Sequence, residues 1–71
     1  MSYLGWFDDN PKRPTAQKID DAIAAYVERF KTRPSVVLVN AAELVERADG
    51  ITVRAETYIR RNNYWVGRSE A

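Results

Sequence analysis

Val36, Val37, Leu38 and Val39 follow one another without a polar interruption, and this run does most to limit what the chain can become. Four aliphatic residues in a row, three of them β-branched, read as a strand buried on both faces, the habit of strands in α/β sheets. Just upstream, Ile19, Ile23, Tyr26, Val27 and Phe30 recur at helical spacing, with Ala22 beside them. Such a stripe is the apolar face of one amphipathic helix. A single helix covers only one side of a strand. The other side must be covered by aromatic residues near the N-terminus, by Tyr3, Trp6 or Phe7, or by a second copy of the chain.

Helix boundaries are legible around that stripe. Pro14 pre-sets the chain and the Thr15 hydroxyl is a candidate cap for the first turn, while Pro34 ends the element, so the helix is expected over 15–31. Lys18, Asp21, Glu28 and Arg29 lie off the stripe and are expected to face water. Arg29 and Lys31 suit the last turn, where cations meet the negative end of the helix dipole.

The remaining segments are shorter. Residues 1–14 contain Asn10-Pro11 and Arg13-Pro14 and read as an extended, punctuated leader whose Trp6 and Phe7 pack down on the domain. Asn40 with Glu43 three residues later resembles a capping box, and 41–48 is rich in helix formers, which favours a short second helix. Asp49-Gly50 admits a hairpin arm as the alternative. Ile51, Val53, Ala55, Thr57 and Ile59 alternate with Thr52, Arg54, Glu56, Tyr58 and Arg60, the pattern of a half-buried strand. After a polar turn at Arg61-Asn62-Asn63, Tyr64 to Val66 returns as a short antiparallel strand, and residues 68–71 form a frayed tail. The expected fold class is therefore α/β (α+β): a single two-layer domain over 15–67, one main helix on a three-stranded mixed sheet.

Size then matters. A core built from 71 residues contributes only ~3–5 kcal/mol net, so small domains often depend on a staple or a partner. Cysteine and histidine are both absent, which excludes disulfides and zinc sites with Cys or His ligands. Self-association is the remaining common way to bury more surface. No apolar run reaches the ~18 residues of a membrane span, and residues 1–10 lack the pattern of a secretory signal, so a cytoplasmic chain without a membrane partner is expected.

Catalytic apparatus is hard to assemble from these residues. Without His or Cys, the commonest general base, the thiol nucleophile and the usual triads are missing. Ser2, Ser35 and Ser69 lack a nucleophile-elbow context, and Gly5, Gly50 and Gly67 form no phosphate-binding loop. Asp8-Asp9-Asn10 could offer oxygens to a hard cation but lacks calcium-loop spacing, while Asp20 and Asp21 point ~100° apart on a helix and cannot converge on one ion. No enzyme, metal or cofactor is implied.

The most suggestive cluster lies near the C-terminus. Arg54, Tyr58, Arg60, Arg61, Tyr64 and Trp65 interleave guanidinium groups with rings. Such residues contact phosphates and stack on unpaired bases, and the same types are enriched in protein interfaces. Both readings follow. The leading expectation is a non-catalytic interaction module that forms a homodimer or binds another protein; the alternative is a small nucleic-acid-binding protein using this face.

Overall fold

The computed structural model describes residues 3–69. One helix, α1 (Thr15–Phe30), lies on a mixed sheet made of β1 (Tyr3–Phe7), β2 (Val36–Val39), β3 (Thr52–Ala55) and β4 (Asn63–Gly67). The strand order is β1-β4-β2-β3. β4 runs antiparallel to both its neighbours, and β2 and β3 are parallel. The result is a small α+β domain with four strands, one more than the alternation pattern predicts.

The additional strand comes from the leader. Tyr3 to Phe7 pairs with β4, setting Leu4 opposite Val66, Gly5 opposite Trp65 and Trp6 opposite Tyr64. Leu4 and Trp6 turn towards α1, while Phe7 stays 63% exposed instead of packing down. Nothing local announces this strand, because its partner lies near the other end of the chain.

α1 begins and ends near its expected limits. Pro14 occupies the cap position and the Thr15 hydroxyl makes no cap bond; the amides of Gln17 and Lys18 turn back to the Pro14 carbonyl instead. Lys31 adopts the left-handed conformation and donates its amide to Val27, closing the helix before Pro34. Ile19, Ala22 and Tyr26 are buried against Val37, Val39, Tyr64 and Val66, with Ile23 and Phe30 partly buried beside them. Val27 sits at the stripe's edge and is 40% exposed. Lys18, expected in water, is only 5% exposed, because it lies beneath the turn that carries Asn62.

β2 is buried at all four positions. Val37 and Val39 face α1, while Val36 and Leu38 face the opposite side, where Ile59 and Tyr3 of the same chain pack on them. Both sides of the apolar run are therefore covered within one protomer.

The 41–48 segment is not a two-turn helix. Asn40 caps a single 3₁₀ turn at Ala41–Glu43, accepting the Ala42 amide at 2.9 Å, and the chain then extends. Tertiary contacts override local propensity here. Glu43 is drawn inward, Val45 packs on the main core, and Arg47 reaches Asp20 on α1 at 2.6 Å. Gly50, at φ 87°, turns the chain into β3.

The strand predicted over 51–59 stops at Ala55. The Glu56 amide still bonds the Val39 carbonyl, but turns follow, and Ile59 crosses to the face opposite Val53. β3 and β4 flank β2 on either side and do not pair with each other. Within the expected frayed tail, Arg68 donates to the Arg33 carbonyl and the Ser69 amide to Ser35 Oγ, each at 2.7 Å. Residues 70 and 71 lie outside the described residues.

Candidate functional site

Because α1 covers only one side of the sheet, the other side is built from the alternate residues of each strand. The paired positions Gly5, Trp65, Leu38 and Arg54 cross all four strands in one row. Tyr3, Gly67, Val36 and Thr52 form the next. Two glycines let rings lie flat on this face. A Cβ at Gly67 would come within 2.6 Å of the Tyr3 ring, and one at Gly5 within 3.3 Å of the Trp65 ring. Each ring thus covers a glycine of the neighbouring strand and shields its backbone, a pairing that pins strand register.

Tyr3, Leu38, Arg54, Tyr58, Ile59 and Trp65 enclose an open, mainly apolar cleft of about 530 Å³. Leu38 and Ile59 are its buried floor, whereas Tyr58 is 70% and Trp65 42% exposed. With Phe7 they leave three large rings in water on or beside one face. Arg54 does not present a bare charge: its Nε donates to Glu56 Oε2 at 3.0 Å.

The six residues singled out in the sequence thus separate. Arg54, Tyr58 and Trp65 come together at the cleft. Arg60 is exposed, and among the described residues its side chain joins no hydrogen bond or ion pair. Arg61 lies elsewhere, at a polar cleft beside the start of α1. Tyr64 is fully buried on the helix side, where its hydroxyl donates to Glu43 Oε2. Burial, reinforced by that carboxylate, pushes its phenol above the ordinary tyrosine range. It cannot touch a partner. Period-two alternation separates Tyr64 from Trp65 once β4 is known to be a strand with one covered face.

Tyr3, Leu38 and Ile59 are the site residues missed by sequence reasoning. No local signal flags Tyr3, since Tyr3-Leu4-Gly5-Trp6-Phe7 has large apolar residues on both alternating sets. Ile59 gave none either, because its alternation assigns it to the wrong face.

Most of the remaining candidates have structural partners. Asp8 accepts the Asn10 amide at 2.9 Å, Asp20 and Asp21 diverge to Arg47 and Arg13, and Ser35 Oγ holds the Ser69 amide. Ser2 lies outside the described residues. Among the described residues no group of three or more acidic side chains is placed to hold a metal, and no helix is long and apolar enough to cross a membrane. In comparisons with protein-family models, curated proteins and solved structures, nothing matches this chain.

Proposed function

We propose that this protein is a non-catalytic interaction module that self-associates through the helix-free face of its sheet. The observation that carries the reading is the exposure of Tyr58 and Trp65 at a cleft floored by Leu38 and Ile59, with Phe7 exposed further along β1. Leaving such rings in water is costly, and exposed apolar patches with aromatic anchors are typical of interface cores. A second copy is the occupant favoured here for two reasons. The face is apolar and its one guanidinium is already answered by Glu56, so it asks for no charged partner. A patch meeting itself across a two-fold axis also needs no other component. The motive is not the covering of β2, which the protomer achieves alone.

Light scattering coupled to size exclusion tests the proposal. The wild-type chain is expected at twice its 8.2 kDa mass, and Tyr58→Glu, a change at a residue 70% exposed, is expected at 8.2 kDa with its fold intact. A wild-type chain that stays at 8.2 kDa through millimolar concentration refutes it.

A second reading rests on Arg60, an exposed cation two residues along the chain from Tyr58, which would follow a phosphate backbone while bases stack on the rings. It predicts binding to single-stranded oligonucleotides that weakens steeply with salt. It is the weaker reading, since Arg61 and Tyr64 lie away from that face.

A further inference from the structure

The cleft at the start of α1 has different chemistry from the aromatic face and is independent of it. It encloses about 420 Å³, and its lining includes Arg13, Thr15, Lys18, Glu43, Arg61 and Asn62. Two charged side chains are buried in its wall, Lys18 at 5% and Glu43 at 4% exposure. Glu43 is well supplied with donors: Oε1 accepts the Asn62 amide at 2.7 Å and Oε2 accepts the Tyr64 hydroxyl. Lys18 is not comparably supplied with acceptors. Its ammonium reaches only Asn62 Oδ1, at a long 3.4 Å, and takes part in no ion pair among the described residues.

A buried ammonium with three donors and one distant neutral acceptor lacks an anion. Other donors at the same cleft are also short of acceptors. Arg13 Nε is buried without a hydrogen bond, with Asp8 Oδ2 3.7 Å away, although its Nη2 is held by Asp21. Pro14 gives α1 no side-chain cap, so the helix dipole at Thr15 and Ala16 is not answered by a capping oxygen. Arg61 contributes an exposed guanidinium outside every ion pair among the described residues. Asp9 and Glu43 are the opposing charges in the lining, and they keep the site from being a general anion sink.

We propose that this cleft binds a phosphate group, as inorganic phosphate or as a phosphomonoester, seated between the Lys18 ammonium, the Arg61 guanidinium and the first turn of α1. A tetrahedral dianion presents acceptors in enough directions to meet an ammonium, a guanidinium fork and backbone amides together. A planar carboxylate does not.

The test is a titration of ¹⁵N-labelled protein with inorganic phosphate and, separately, with phenyl phosphate, chloride being exchanged to hold ionic strength constant. The expected result is saturable shifts in the millimolar range at the amides of Thr15, Ala16, Lys18 and Asn62. Arg61→Ala, a change at an exposed residue, should weaken binding about tenfold or more. Lys18→Met should abolish it; if that variant does not fold, Arg61→Ala decides. Equal affinity for both compounds assigns free phosphate. Tighter phenyl phosphate assigns an ester whose organic part fills the rest of the cleft. Shifts that rise linearly without saturating, or an unchanged affinity in Arg61→Ala, overturn the proposal.

Discussion

Replacing Tyr64 with Phe removes one oxygen from the fully buried contact with Glu43, and its cost follows from the partners involved. Glu43 is only 4% exposed and its two oxygens accept from two donors, the Tyr64 hydroxyl and the Asn62 amide. A hydrogen bond to a charged group contributes about 1.5–3 kcal/mol, and the carboxylate left behind remains buried with one donor fewer. A loss of about 2–3 kcal/mol is therefore expected, or roughly 8–24 °C in melting temperature for a domain of this size. In a Glu43→Gln background the same change breaks a bond to a neutral amide and should cost only about 1 kcal/mol. Thermal melts and urea unfolding followed by circular dichroism, run on all four members of the cycle, measure the difference as a coupling energy. The phenol also makes the alkaline limit diagnostic. Because burial and Glu43 hold its proton above the usual range, the folded state keeps that proton where the unfolded chain, titrating near ~10, releases it. The contribution is fully present below pH ~10 and is lost as pH rises through the folded value, with a slope of at most about 1.4 kcal/mol per pH unit. Tyr64→Phe should lack that part of the slope. Equal costs of Tyr64→Phe in the wild-type and Glu43→Gln backgrounds, or a wild-type cost below about 0.5 kcal/mol, would refute the reasoning.

Other outcomes follow from named contacts. Asp49 is held down to about 2 chiefly by its hydrogen bonds from Arg47, so in Arg47→Ala its carboxyl should move up towards the ordinary ~3.9, read by carbon NMR titration. Any stability this pair contributes is present above pH ~4 and lost as pH falls through about 2, and the variant should be flatter across that window. Gly67→Ala places a Cβ within 2.6 Å of the Tyr3 ring, and the forced shift should cost about 1–3 kcal/mol in urea unfolding, with most of it recovered when Tyr3 is also changed to Ala. Gly50→Ala puts a side chain at φ 87° in open space, so backbone strain alone should destabilise by about 1–2 kcal/mol in the same assay, without altering the aromatic face.

The elements carried by local pattern were legible in the sequence, and those made by distant pairing were not. Ile19, Ala22, Tyr26 and Phe30 define α1 by spacing alone, and Val36–Val39 declares a doubly buried strand whatever covers it. β1 could not be read the same way, since a five-residue edge strand with Gly5 at its centre becomes a strand only through Trp65 and Val66. The 41–48 segment failed for the opposite reason: its helical propensity is real, but burying Val45 and anchoring Arg47 to Asp20 outweigh it. Arg54, Tyr58 and Trp65 do meet at the cleft, although Tyr58 arrives there through a turn and not by strand alternation, while Tyr64 was misassigned by a single position of strand phase. Lys18 escaped notice because a lysine outside an apolar stripe is ordinarily solvated. Only the turn at Asn62, whose φ of 69° brings that side chain over α1, encloses it.

Amide and indole NMR shifts recorded on the wild-type chain from micromolar to millimolar concentration test most directly whether the helix-free face is the surface by which copies meet. Concentration-dependent changes should concentrate at Tyr3, Phe7, Leu38, Tyr58 and the Trp65 indole, leaving the exposed side of α1 still. Changes centred instead on Val27 and α1, or on the outer edge of β3, would contradict it.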